Sequence, residues 1–204
     1  MTSIVVFVEQ AAGAPRRASL EALSAAKAAG GEVTAVVTGP GAEAAAGKLG
    51  AFGAARVVAL TGAEHFSPDG TAADVAAVAG EVGAKVCLAA ASSAGKDVMP
   101  RVAALLDSTP FTDCTGFALE GGSASAVRPM LAGKVVASVT SSGPVFCATL
   151  RPNTFKAEET GGSAEAGPRA IHVQWRDVAG NWSIPVVLEA HVLDPDTTPT
   201  PADL

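Results

Sequence analysis

From Ser3 to Leu106 the chain alternates short apolar runs with alanine-rich stretches that close on glycine or a small polar residue. SIVVFV at 3–8 is apolar on both faces and stops at Glu9, the pattern of a strand covered from both sides. Leu20, Leu23 and Ala26–Lys27 then recur at helical spacing. Gly30–Gly31 follow, and glycine tolerates the left-handed geometry that ends a helix. EVTAVVTG predicts a second strand, GAEAAAGKLGAFGA a small-residue helix and ARVVALTG a third strand. GTAADVAAVAGEVGA predicts a helix capped by Asp69, KVCLAAA a fourth strand and GKDVMPRVAALLDS a further helix. Such alternation builds a parallel sheet with right-handed crossovers and helices on both faces. The expected fold is α/β: three layers, α/β/α, around a mostly parallel, doubly wound sheet. Only 4% of residues are aromatic and tyrosine is absent, so Ala, Val and Leu must form the core. Side chains that short require close backbone approach.

Beyond residue 110 the pattern changes. CTGFALEGG, SASAVRPML, GKVVASVTSSG and PVFCATLRP read as successive strands joined by Gly or Ser turns. They predict antiparallel strands added in the C-terminal part, at one end of the sheet. KAEETGGSAEAGP is polar and glycine-rich and reads as a mobile loop. RAIHVQWRDV and SIPVVLEAHVLD predict two more strands, the first with Ile171, Val173 and Trp175 on one face. PDTTPTPADL, rich in Pro and Thr, cannot continue a helix and reads as a linker. The expected organisation is one α/β domain over 1–195, followed by a linker at 195–204. Within the domain the core is 1–156, a glycine-rich loop 157–169 and the extra strands 170–193. No 20–50-residue repeat recurs.

The charge balance excludes several functions. Lys plus Arg total 14 against 20 Asp plus Glu, a net charge of −6. Sequence-independent nucleic-acid binding and anionic membrane surfaces both need the opposite sign. The N-terminus has no basic region before its short apolar run, so it does not read as a signal peptide. No apolar stretch approaches the roughly 20 residues that span a bilayer, so no membrane insertion is expected. Cys87, Cys114 and Cys147 are odd in number and widely spaced, which predicts buried free thiols and a reducing, cytoplasmic compartment.

Few residues carry chemistry. AAASSAGKD at 89–97 resembles the start of a phosphate-binding loop, but its first glycine is replaced by Ala90. Asp97 stands where a magnesium-binding hydroxyl is needed, and its charge repels phosphate. Ser92 or Ser93 starting a turn, Asp97 in the positively polarised first helical turn and Arg101 one turn on make a structural reading sufficient. Ser92, Ser93, Gly95 and Lys96 remain weak anion or nucleotide candidates, because a helix N-terminus attracts anions. His65, His172 and His191 lie in separate segments without ligand spacing, so no metal is expected. His65 falls in a solvated loop. There is no Gly-x-Ser-x-Gly elbow and no Cys/His pair. Asp107 and Asp113 flank a turn and read as turn formers. The loop after the first strand, EQAAGAPRRASL, lacks the glycines that cradle a pyrophosphate. No catalytic residue is expected.

Four stretches in order resemble the N-terminal domain of an electron transfer flavoprotein alpha subunit. SIVVFVEQ…ASLEALSAAKAAGGEVTAVVTG is similar to the family's first strand, helix and second strand, with Glu9 closing the strand. The second stretch resembles the family's Ser-Ser-x-Gly-Lys-Asp…Pro-Arg-Val-Ala…Asp-x-Thr in Ser92, Ser93, Gly95, Lys96, Asp97, Pro100, Arg101, Val102, Ala103, Asp113 and Thr115. VRPMLAGKVVASV, with Arg128 and Gly133, resembles the family's strand pair, Lys134 replacing the usual Asn. TLRPNTFKAEE resembles the segment that leaves the domain. The resemblance covers roughly residues 3–157. It implies a Rossmann-like fold of the adenine nucleotide alpha hydrolase type, with Asp97, Arg101, Asp113, Thr115, Arg128 and Gly133 as motif or interface residues. It implies a non-catalytic scaffold that pairs with a beta subunit and supports FAD-mediated electron transfer from dehydrogenases to an acceptor such as a quinone reductase. FAD would be held mainly by a C-terminal domain bearing a Gly-Gly-Arg-Gly motif, which this sequence lacks; TPTPADL resembles the hinge before it. No cofactor is firmly expected in this chain, and AMP would belong to the partner subunit. Two rival readings stand beside this one. The first is a free-standing adenine-nucleotide or small-molecule binding protein using Glu9, Gly39 and Ser92. The second is an enzyme using Lys96 and Asp97.

Overall fold

The computed structural model describes residues 1–61, 65–162 and 164, with the strand backbones of 167–173 and 186–192. β1 (Ser3–Val8) is buried almost throughout. It leads through the small hairpin of β2 (Gln10–Ala11) and β3 (Ala14–Pro15) into α1 (Arg17–Ala28). Gly30, at φ +85°, ends α1 and donates its N–H to the Lys27 carbonyl. β4 (Glu32–Thr38), α2 (Ala42–Ala46) and β5 (Arg56–Leu60) follow. After them come α3 (Pro68–Glu81), β6 (Val86–Ala90), α4 (Ser93–Leu105) and β7 (Pro110–Cys114). β8 (Gly116–Glu120), β9 (Ser123–Met130) and β10 (Val135–Thr140) precede β11 (Phe146–Leu150). β12 (Gly167–Val173) and β13 (Val186–Val192) complete the described strands.

Among the described residues, eight strands form the main sheet in the order β12-β13-β5-β4-β1-β6-β11-β7. The six from β5 to β7 are parallel; β13 runs antiparallel to β5, and β12 to β13. Alternation along β1 sorts its side chains between two cores. Ile4, Val6 and Val8 join Leu23 and Ala26 of α1, whereas Val5 and Phe7 join Val75 of α3 and Val98 and Met99 of α4. This is the expected three-layer, doubly wound α/β fold. β8, β9 and β10 form a separate antiparallel sheet over one face, where Phe111, Phe117 and Phe146 meet with ring centroids 5.2 and 6.2 Å apart.

Several local expectations need correction. The stretch predicted as one small-residue helix is broken into α2 and a 3-10 turn at Gly50–Phe52. Gly47, Gly50 and Gly53 lower helix propensity, and Gly53 at φ +100° fits only a left-handed turn. The cap of α3 is Ser67, whose Oγ accepts the Gly70 N–H at 3.2 Å; Asp69 sits in the first turn. Ser67→Ala is expected to cost about 1 kcal/mol, read from the urea midpoint. Asp97 lies beyond the first turn of α4. β11 is not an antiparallel addition but a parallel strand between β6 and β7. All five of its residues are buried, as a central parallel strand requires. Asp113 lies in β7, not in a turn. β7 was not expected as a strand because it opens on proline and carries Thr112 and Asp113 instead of an apolar run.

The segment after β11 is fastened where a mobile loop was expected. The Asn153 N–H donates to Glu21 Oε2 at 2.7 Å, the Glu158 N–H to Ser24 Oγ at 3.0 Å and the Thr160 N–H to the Ala51 carbonyl at 2.7 Å. This strap crosses α1, and the buried Glu21 also accepts from Arg17. Cys87, Cys114 and Cys147 are free and buried, as expected. Trp175 and the 195–204 segment lie outside the described residues, and no described helix is long and apolar enough to cross a membrane.

Candidate functional site

Strand order reverses between β1 and β6, and in sheets of this kind the carboxyl ends of the strands beside that reversal frame a crevice. Glu9 follows β1 there and Ser92 follows β6. Ser92 caps α4: its Oγ accepts the Gly95 N–H at 2.9 Å and donates to Glu9 Oε1. The Glu9 N–H is held in turn by Ser19 Oγ at 3.0 Å. The chain's own carboxylate therefore sits at the positive end of α4, where a phosphate would otherwise be drawn. Gly95 is required by packing, since a Cβ there would stand 1.9 Å from the Ala90 carbonyl oxygen. These residues do not fit a dinucleotide pyrophosphate: the Gly95 N–H is already taken by Ser92 and the Glu9 carboxylate puts a negative charge in the approach. A neighbouring cleft of about 230 Å³, lined by Phe7, Gly39, Phe66 and Ala94 among others, opens on the same side.

Lys96 and Asp97 are exposed on α4. Arg101 pairs with Asp97 one turn back and, through Nε at 2.7 Å, with Asp69 of α3. These hydrogen bonds, the one to Asp69 first, raise the arginine's proton affinity. The exposed triad ties α3 to α4 and contributes little by itself.

The remaining motif residues converge at the carboxyl ends of β11 and β7. Asp113, at φ +62°, donates its N–H to Thr149 Oγ1 at 3.0 Å. Its carboxylate receives a two-pronged contact from Arg151, Nε to Oδ1 at 3.1 Å and Nη2 to Oδ2 at 2.6 Å. That hydrogen-bonded pairing, helped by the charges of Lys96 and Arg128, outweighs burial and holds the Asp113 carboxyl below its usual range. The Thr115 N–H donates to the Val127 carbonyl at 2.7 Å, which joins this corner to β9. Arg128 of β9 reaches Thr112 Oγ1 only at 3.5 Å, and its buried Nε has no partner among the described residues. Asp113, Arg128, Gly133 and Arg151 line a pocket of about 480 Å³. Among the described residues no cluster of His, Cys, Asp and Glu is arranged to hold a metal ion.

A family model described as the electron transfer flavoprotein domain matches residues 4–174. The chain belongs to the electron transfer flavoprotein family. It is 32% identical over 181 residues to the electron transfer flavoprotein subunit alpha of Syntrophomonas wolfei, covering 87% of this chain and 57% of that one. Against the Bacillus subtilis alpha subunit the identity is 27% over 179 residues, 86% and 55% of the two chains. Against that of Pseudomonas aeruginosa it is 31% over 184 residues, 83% and 57%. The chain thus spans about half the length of the curated relatives it matches.

Within this electron transfer flavoprotein domain the sequence motifs fall into two groups. Ser92, Ser93, Gly95 and Lys96 lie at the start of α4, while Asp113, Thr115, Arg128 and Gly133 lie at the β7–β9 corner. Asp97 and Arg101 stand apart from both, on α4. Lys96 links the two groups, because its charge reaches Asp113. Sequence reasoning missed Arg151 as a site residue although the motif TLRPNTF contained it; a lone arginine after an apolar strand carries no signal until its carboxylate partner is placed.

Proposed function

We propose that this domain is the N-terminal, non-catalytic scaffold of an electron transfer flavoprotein alpha subunit. It pairs with a beta subunit and supports FAD-mediated electron transfer from dehydrogenases to an acceptor. In this reading residues 1–195 are the scaffold and 195–204 a linker toward the part that holds FAD. The chain is an electron-carrier component, not an enzyme. The observation that carries the pairing is the apolar end of the β9–β10 hairpin. Leu131 is 72% exposed and Val136 66%, with Met130 and Val135 also exposed beside them. The register pairs Val135 with Met130 and Val136 with Pro129, so the hairpin end is apolar on both faces around the Leu131 turn, and exposed apolar side chains grouped this way favour a protein interface. The three buried free thiols suit a reducing compartment, and a cytoplasmic location is the reading they support.

The test is purification of the chain alone and together with the beta subunit. Alone it is expected to be colourless; together the two are expected to elute as one complex. A chain that retains FAD by itself, or that ignores the beta subunit, overturns the reading. The cleft beside Phe7 and Gly39 favours one alternative, a free-standing nucleotide binder. Saturable stabilisation of the isolated chain by AMP would select it.

A further inference from the structure

The pocket at the β7–β9 corner carries more positive than negative charge in a chain whose net charge is −6. Arg128 and Arg151 line it beside the single carboxylate of Asp113. Arg151 is already committed to Asp113 by two hydrogen bonds, whereas Arg128, which also lines the pocket, makes only a 3.5 Å contact with Thr112 Oγ1 and has no carboxylate partner among the described residues. A guanidinium held with donors to spare is complementary to a carboxylate, which it can grip with two parallel hydrogen bonds. The rim of the pocket is apolar and strained. Leu131 and Ala132 hold φ of +49° and +56°, a left-handed conformation disfavoured for side chains with a Cβ, and this turn thrusts Leu131 into solvent. A small free anion needs no such rim, whereas a docked polypeptide does.

We propose that this pocket receives an aspartate or glutamate side chain of the paired beta subunit, gripped by Arg128 while the Leu131 turn packs around it. The inference rests on the reading of this chain as one half of a heterodimer. The apolar end of the β9–β10 hairpin supplies contact area, and the buried charge pair sets register and partner choice.

The full chain is co-purified with the beta subunit, and the dissociation constant is measured for wild type, Arg128→Glu, Arg128→Gln and Val136→Ser. Unchanged melting temperatures of the isolated variants establish that each folds. Arg128→Glu is expected to weaken the complex at least about 30-fold, and Arg128→Gln less. The wild-type constant should rise between about 0.05 and about 0.5 M salt, and Arg128→Gln should flatten that rise. Val136→Ser should weaken binding with the salt dependence intact. Reversing one acidic residue of the beta subunit to lysine should restore binding to Arg128→Glu. A complex indifferent to Arg128 sinks this inference and leaves the heterodimer standing. No complex at all sinks both. Stabilisation of the isolated chain by inorganic phosphate, abolished by Arg128→Gln, would overturn the carboxylate in favour of a free anion.

Discussion

Gly95→Ala is expected to cost at least about 3 kcal/mol of folding stability, among the largest effects a single methyl group can have here. The added Cβ would lie 1.9 Å from the Ala90 carbonyl oxygen and 3.1 Å from the carbonyl carbon, both backbone atoms of β6. No rotamer change relieves that contact, so α4 must lift away from the sheet. Lifting α4 also separates Ser92 from Glu9 and loosens Val98 and Met99, both fully buried. For a domain of this size the melting temperature should fall by roughly 6–12 °C. Urea unfolding measures the loss directly. A Gly95→Ala variant as stable as wild type would show that α4 does not start against the strand end.

The second large effect is a gain. Asp74 of α3 is 7% exposed, and its Oδ1 has no hydrogen-bond partner among the described residues. Burial pushes its carboxyl from 3.8 up to about 6. Between those values the folded chain keeps a proton that the unfolded chain releases, so this group favours folding most below about pH 4. That contribution is lost as pH rises through 6. The difference corresponds to about 3 kcal/mol at neutral pH. Asp74→Asn, which stays neutral, is expected to raise stability at pH 7 by roughly 2–3 kcal/mol and to leave it nearly unchanged at pH 4. Stability profiles against pH for the two proteins should therefore diverge from pH 4 to pH 7. Parallel profiles would place the carboxylate in a solvated setting.

The parallel half of the fold was legible because its strands are apolar on both faces and its helices carry small residues at regular spacing. β1, β4, β5 and β6 follow directly from SIVVFV, EVTAVVT, RVVAL and VCLAA. β11 carried the same sign in FCATL, but its neighbours in sequence are antiparallel strands, and order along the chain misled the assignment. β7 was hidden because polar residues interrupt it. Of the candidate site, the motif residues at the β7–β9 corner were identified, but their shared purpose was not. Asp113 and Arg151 are 38 residues apart because β8, β9 and β10 intervene in sequence, and only the parallel pairing of β7 with β11 brings them together. The contact of Glu9 with Ser92 spans 83 residues and is equally invisible to spacing. Local periodicity reports which face of an element is buried; it does not report which loops share an edge of the sheet.

The irregularity of β7 governs how other proteins can approach this flank. An outermost strand usually invites another chain to continue its ladder of backbone hydrogen bonds. β7 refuses that role. Pro110 has no N–H, Asp113 leaves the extended conformation and spends its N–H on Thr149, and the pairing with β11 slips between Ala148 and Leu150. These irregularities disfavour generic strand addition, so side-chain shape and charge weigh more in what is admitted here. The same break protects the molecule from joining edge to edge with its own copies, leaving the flank open to a selective visitor.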